Sequence, residues 1–101
     1  MTDNLFQRLS EWGTNGRIYD VDRIMQVLLV YEDLPTVKTA DFALDLVRTS
    51  QGRKQIRYYL FNGRQRQRNY AALWLKRRGE MHSVDRAFEL GLIDERQAYA
   101  K

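Results

Sequence analysis

Glycine and proline divide this sequence into short apolar segments, and the spacing within those segments limits the folds open to it. Six glycines and one proline, Pro35, are scattered along the 101 residues. Between them, large apolar residues recur three and four positions apart, which places them on one face of an α-helix. The sequence therefore predicts an all-α fold, a compact bundle of about five helices.

A first helix is predicted at the N-terminal end. Thr2 or Asp3 can cap it, and its apolar face extends to Trp12. Because glycine and asparagine often end helices, the helix should then break at Gly13, Asn15 and Gly16.

Two further helices are predicted in the first half of the chain. One is capped by Asp20 and runs to about Asp33. A buried strand over 27–31 is the alternative there, because a short apolar run fits both structures. The next helix is capped by Thr36 or Thr39. The apolar side chains of these helices should fill the core, among them Leu29, Tyr31 and Phe42.

The segment 55–61 fits two structures. Its aromatic and β-branched residues favour a strand. The spacing of Ile56, Tyr59 and Leu60 matches a helix instead, and a lone strand would lack a partner. Helix is therefore the prediction, and an α+β fold with a short strand at 55–61 is the alternative.

The last part of the chain predicts one long helix and two short ones. Asn62-Gly63 should end the preceding helix, and the long helix covers about 64–78. Ser83 should cap a short helix that stops at Gly91, and Asp94 should cap a last helical turn.

Length and composition indicate one globular domain. A chain of 101 residues, 44% of them hydrophobic, can form one core and is too apolar for a disordered protein. It has no cysteine, which excludes disulfides and thiolate zinc sites and is typical of a reducing compartment. Its longest apolar run, 27–31, is far shorter than the ~20 residues that span a bilayer. We therefore expect a single domain over 1–101, cytoplasmic and without a membrane partner.

The charge of the chain is concentrated in one segment, residues 46–79, which we call the basic segment. It holds ten basic residues and no acidic one, whereas the rest of the sequence holds seven basic and thirteen acidic residues. Eight of the ten are arginine, whose guanidinium group can bind phosphate through two parallel hydrogen bonds. Such asymmetry indicates an anionic partner, although acidic residues of the same fold or of a second copy could neutralise the segment.

A helix over 64–78 would carry part of this charge on one face. At 100° per residue, its buried stripe consists of Tyr70, Ala71, Trp74 and Leu75. The opposite side should face solvent and carries Gln65, Arg68, Asn69, Ala72 and Lys76. Amide side chains that could contact base edges are Gln65, Gln67 and Asn69.

These patterns predict a nucleic-acid-binding protein, for DNA or RNA. Basic side chains would neutralise phosphates, and exposed aromatic rings would stack on unpaired bases. The predicted contact residues are Arg53, Lys54, Arg57, Tyr58, Arg64, Arg66, Arg68, Asn69, Lys76 and Arg77. The alternative is a protein–protein adaptor, inhibitor or subunit that binds an acidic protein surface or forms a homo-oligomer, for example a homodimer.

No enzymatic activity, metal or cofactor is predicted. His82 is the only histidine, and no His-Glu spacing of the usual metal-binding kind is present. The glycines do not form a phosphate-binding loop, and the serines lack the sequence context of a nucleophile.

Overall fold

The structure of this chain is a computed structural model that describes residues 4–100. The described residues form an all-α fold without strands, as predicted. They form seven helices in place of about five, and the two short C-terminal helices that the sequence also predicts account for the difference. The helices are α1 (Leu5–Asn15), α2 (Ile18–Val30), α3 (Leu34–Leu46), α4 (Ser50–Asn62), α5 (Gln65–Arg77), α6 (Met81–Glu89) and α7 (Glu95–Tyr99).

Both strand alternatives are wrong. Residues 27–30 belong to α2, and all of 55–61 belongs to α4. In α4, Ile56 and Leu60 are fully buried whereas Tyr58 is exposed, which is the helical spacing that the sequence shows. The predicted break at Asn62-Gly63 is confirmed, because Gly63 lies between α4 and α5.

The chain divides into two compact units, and the boundary falls inside α4 between Gln55 and Ile56. Each unit is described separately, and the single domain over 1–101 stays a prediction. Within residues 4–100, no helix is both long enough and apolar enough to cross a membrane.

In the first unit, α1, α2 and α3 pack against one another. Their core contains fully buried large side chains, which are Leu9, Ile24, Met25, Leu28 and Leu44. Burial of such side chains is the main source of stability for a unit of this size.

Helix α1 begins and ends later than predicted. Asn4 caps it, because its Oδ1 accepts hydrogen bonds from the N–H groups two and three residues later, at 2.9 and 3.3 Å. The predicted caps Thr2 and Asp3 lie outside the described residues. The helix continues through the predicted break to Asn15.

Gly13 is a contact point between helices and not a helix stop. A Cβ atom on Gly13 would overlap the carbonyl oxygen of Ala43 in α3, so only glycine allows the two helices to approach this closely. The stop is Gly16, whose backbone is left-handed at φ 62° and whose N–H donates to the Trp12 carbonyl at 2.8 Å. The sequence cannot separate these two uses of glycine.

Asp20 and Asp33 both stabilise helix starts, at positions that differ from the predicted ones. Asp20 is the third residue of α2, and its Oδ2 accepts from the backbone N–H and the Nε of Arg17, at 3.0 and 2.7 Å. Asp33 caps α3 by accepting from the Thr36 N–H at 3.1 Å. The predicted caps Thr36 and Thr39 are therefore wrong, because both hydroxyls act as donors, to Asp33 and to a backbone carbonyl.

Three predicted core residues are exposed. Tyr31 follows the last residue of α2, and Leu29 lies at the edge of that helix, each with 39% exposure. Phe42 is 59% exposed, because it lies on the side of α3 opposite the buried residues Ala40 and Ala43.

In the second unit, α5 packs against both α6 and α7. The predicted stripe is confirmed for Ala71, Trp74 and Leu75, which are buried, while Tyr70 is half-buried. The guanidinium carbon of Arg78 lies 3.7 Å from the centre of the Trp74 ring, and its Nη1 donates to the Trp74 carbonyl at 3.2 Å. Arg78 therefore covers the core tryptophan.

The starts and stops of the short helices follow the sequence in part. Asp94 caps α7, as predicted, by accepting from the Gln97 N–H at 2.8 Å. Gly91 has φ 75° and ends the helical conformation after α6, as predicted. The cap predicted at Ser83 is wrong, because α6 already begins at Met81 and Ser83 lies in its first turn.

Replacement of Gly13 by alanine tests the close approach of α1 and α3. In an open helix this change stabilises by about 0.5–1 kcal/mol. At Gly13 the added methyl group meets backbone that cannot move aside, so we expect a net loss of about 1–3 kcal/mol in the free energy of unfolding. Denaturant unfolding measures it, and Thr14→Ala, at the next, exposed position of α1, is the near-neutral control. An equal or higher stability of Gly13→Ala would contradict this packing.

Replacement of Asp33 tests its cap through pH. Hydrogen bonds from the Thr36 hydroxyl and N–H lower the pKa of Asp33 below its ordinary value of 3.8. The cap therefore stabilises the fold above that pH, and the effect is lost as the pH falls through the lowered pKa. Asp33→Ala should lower the Tm at pH ~7 and lower it less at pH ~2.5, where more of the carboxyl group is protonated. Asp33→Asn keeps a capping oxygen without ionising and is the control, and an equal decrease for Asp33→Ala at both pH values would argue against a carboxylate cap.

Candidate nucleic-acid interface

Helix α4 presents basic side chains and one aromatic ring to solvent. Arg53, Lys54 and Tyr58 are exposed, and Tyr58 retains 51% of its surface. The Tyr58 ring meets the Tyr59 ring edge to face, with 5.6 Å between ring centres. Arg57 is half-buried, and its Nη2 lies 3.7 Å from Oε1 of Glu80. Since the sequence of α4 contains no acidic residue, its own surface offers no repulsion to a phosphate.

At the start of α5, the predicted contact residues differ in exposure. Arg64 precedes the helix and is exposed, whereas Arg66 and Arg68 are half-buried. The Nε of Arg68 is buried and makes no hydrogen bond within the described residues. Gln67 is only 4% exposed, and its Oε1 accepts from the Arg64 N–H at 2.9 Å. Its predicted contact with base edges is therefore wrong, because the amide closes the first turn of α5.

The side of α5 that the sequence assigns to solvent is partly covered. Ala72 is fully buried, so its predicted exposure is wrong. Lys76 Nζ donates to the Ala100 carbonyl at 2.9 Å. Gln65 Nε2 lies 2.8 Å from Asn69 Oδ1 and 3.4 Å from Gln97 Oε1. The C-terminal residues thus lie on this face, which sequence periodicity alone does not reveal.

The basic segment is uneven in its exposure. Its five half-buried basic residues are Arg57, Arg66, Arg68, Lys76 and Arg78. Its five exposed basic residues are Arg48, Arg53, Lys54, Arg64 and Arg77. Arg48 was not among the predicted contact residues, although its place in the loop between α3 and α4 is consistent with exposure.

Acidic neighbours neutralise the second unit only in part. From residue 56 onward the sequence has ten basic and five acidic residues. Of these acids, Glu80 lies near Arg57, and Glu89 lies 3.8 Å from Arg86, outside the basic segment. The carboxylate of Asp85 accepts from the Tyr99 hydroxyl at 2.9 Å, which raises the pKa of Tyr99 above its ordinary value. The unit therefore keeps a positive balance.

The described residues show no cluster of three His, Cys, Asp or Glu side chains that could hold a metal ion. His82 is exposed in the first turn of α6. A shallow cleft of about 490 Å³ adjoins it and is also lined by Arg57, Glu80 and Ser83.

Substitution of Lys76 tests whether its ammonium group holds the C-terminal residues on α5. In Lys76→Met the hydrogen bond to the Ala100 carbonyl is lost while the aliphatic stem remains. Amide hydrogen exchange over 94–100 should rise roughly two- to fivefold, the equivalent of about 0.5–1 kcal/mol. Arg64→Met removes an exposed cation before the same helix and is the control, with unchanged exchange expected. Equal exchange in both variants would show that Lys76 does not anchor this segment.

Comparison of the chain with models of protein families, with curated proteins and with solved structures gave no match in any of the three searches. Its function is therefore inferred from its own charges, exposed groups and contacts.

Proposed function

We propose that this chain binds nucleic acid, DNA or RNA, by neutralising backbone phosphates with the basic segment. The observation that carries the proposal is that the basic segment holds ten basic residues and no acidic one. Five of these ten basic residues are exposed. Phosphate contacts supply most of the affinity of such proteins and need little sequence information from the protein. The proposal includes no catalytic step, metal or cofactor.

The exposed basic residues supply the main phosphate contacts. Arg53 and Lys54 lie on α4, Arg64 precedes α5, and Arg77 is the last residue of α5. Guanidinium groups suit this task, because they bind two phosphate oxygens at once and are weakly hydrated. The half-buried members of the predicted set contribute less, and these are Arg57, Arg66, Arg68, Asn69 and Lys76.

Tyr58 adds a contact that phosphate neutralisation does not explain. Its ring is half exposed and stands one helical turn after Lys54. A base that stacks on Tyr58 would place its own phosphate within reach of the neighbouring cations of α4. The interface therefore favours strands that have unpaired bases.

The test measures fluorescence anisotropy of labelled single- and double-stranded DNA and RNA. Each of the four is titrated with the protein at ~50 and ~200 mM salt. If about five phosphates are neutralised, affinity should fall on the order of a few hundredfold across that range. Absence of binding to all four at the lower salt concentration would overturn the proposal and favour an acidic protein partner.

A matched pair of variants locates the interface. The triple change Lys54→Gln, Arg64→Gln and Arg77→Gln should weaken binding by about tenfold or more and reduce the salt dependence by about two to three ions. The control removes the same charge from exposed positions outside the basic segment, with Lys38→Gln, Arg86→Gln and Arg96→Gln. Equal losses in the two triple variants would show that net charge, and not this segment, drives the binding.

A further inference from the structure

A cleft in the first unit lies outside the basic segment and is built from α1 and the start of α2. Its volume is about 520 Å³, and it is open to solvent on one side. Its lining includes the Trp12 ring, two arginines, the carboxylates of Glu11 and Asp20, and the amides of Gln7 and Asn15. The cleft therefore combines a flat apolar surface, two guanidinium groups that are balanced by two carboxylates, and hydrogen-bonding amides.

Rings and guanidinium groups alternate at this cleft: Trp12, Arg17 and Arg23 line it, and Tyr19, outside the lining, contacts both guanidinium groups. The guanidinium carbon of Arg23 lies 5.9 Å from the centre of the Trp12 ring and 5.0 Å from that of Tyr19. The guanidinium carbon of Arg17 lies 4.6 Å from the centre of the Tyr19 ring. Tyr19, Arg17 and Arg23 are exposed, and Trp12 is half-buried. Alternating rings and guanidinium groups on a surface are the arrangement on which nucleobases stack.

Asp20 supplies an unused acceptor beneath these groups. It is the one fully buried residue in the lining of the cleft. Its Oδ2 accepts two hydrogen bonds from Arg17, whereas its buried Oδ1 has no hydrogen-bond partner among the described residues. Buried carboxylate oxygens are normally hydrogen-bonded, so this position favours a ligand that brings an N–H donor.

We propose that this cleft binds a single unpaired nucleobase together with its phosphate. The ring would stack against Trp12 and Arg23, an exocyclic amino group would donate to Asp20, and the phosphate would pair with Arg17. Adenine, cytosine and guanine carry that amino group, whereas uracil and thymine do not. A base inside a duplex is stacked on both faces and cannot enter, so the ligand is a nucleotide or a base of a single strand. The proposal does not rest on the basic segment, because all of these residues lie before it.

The test uses the full, ¹⁵N-labelled chain and its two tryptophan indole N–H signals in NMR spectra. Trp12 lines the cleft, whereas Trp74 is buried and serves as an internal reference. Titration with AMP, CMP and GMP to ~10 mM should shift the Trp12 signal saturably and leave the Trp74 signal in place. UMP should bind at least about threefold more weakly, since its one base N–H, at N3, lies between two carbonyl oxygens that the Asp20 carboxylate would repel. Ribose 5-phosphate, which has no base, should cause no such shift.

Two exposed substitutions and one control complete the test. Tyr19→Leu and Arg23→Gln each remove one member of the alternating stack and should weaken nucleotide binding by about fivefold or more. Lys38→Gln removes an exposed charge of the same unit that does not line the cleft, and it should leave binding unchanged.

Three results would overturn the proposal. These are no shift of Trp12, equal shifts of both tryptophans, and the same shift with ribose 5-phosphate as with AMP. The variant Lys54→Gln, Arg64→Gln and Arg77→Gln separates this site from the basic segment. In this variant, mononucleotides should still shift the Trp12 signal even where binding to oligonucleotides is lost. The proposals for the cleft and for the basic segment can therefore fail independently of each other.

Discussion

The hydroxyl group of Thr49 joins two glycines, and the arrangement of the first unit depends on this contact. The hydroxyl donates to the carbonyl of Gly16 at the end of α1, and it accepts from the N–H of Gly52 in the first turn of α4, at 2.9 Å. A Cβ atom on Gly52 would lie 2.5 Å from the Gly16 carbonyl oxygen and from a Val47 side-chain carbon. Two stretches of backbone therefore meet at a distance that a side chain would prevent.

The contact at Thr49 also fixes the turn from α1 to α2, on which the cleft of the first unit depends. Trp12 lies one helical turn before Gly16, and Arg17 follows Gly16 directly. Tyr19 and Arg23 are four positions apart on α2 and so lie on the same side of it. With the turn held by Thr49 and by the bonds of Asp20 to Arg17, the rings and guanidinium groups are arranged before any ligand arrives. Such preorganisation lowers the entropy cost of binding.

The sequence predicts helices well where one physical effect dominates. Asp94 lies at a helix start and Gly91 just after a helix end, and each residue type has one strong preference for that place. Both predictions are confirmed. Gly13 is different, because glycine both ends helices and permits close packing, and only the position of Ala43 in space decides between them. The hydrogen bond from Lys76 to the Ala100 carbonyl also depends on tertiary packing. Helix α7 has only five residues, too few for a sequence pattern that would predict where it packs.

The candidate sites are less accessible to sequence reasoning than the fold. Net charge pointed to the basic segment, but charge does not show which side chains are buried. The cleft was missed because Trp12 fits an apolar stripe equally well and because Arg17 and Arg23 lie in a part of the sequence without net positive charge. The spacing of Tyr19 and Arg23 was the one local signal, since residues four apart on a helix are neighbours.

Arginine serves four purposes in this chain, and this limits what a count of charges means. Arg78 covers the core residue Trp74, and Arg17 completes the start of α2 through Asp20. Arg57 lies near Glu80, whereas Arg64 and Arg77 are exposed near the two ends of α5. The salt dependence of nucleic-acid binding counts the phosphates that are neutralised, and not the cations that are present. If the basic segment acts as proposed, its slope should therefore correspond to about five phosphates, for the exposed cations, and not to ten.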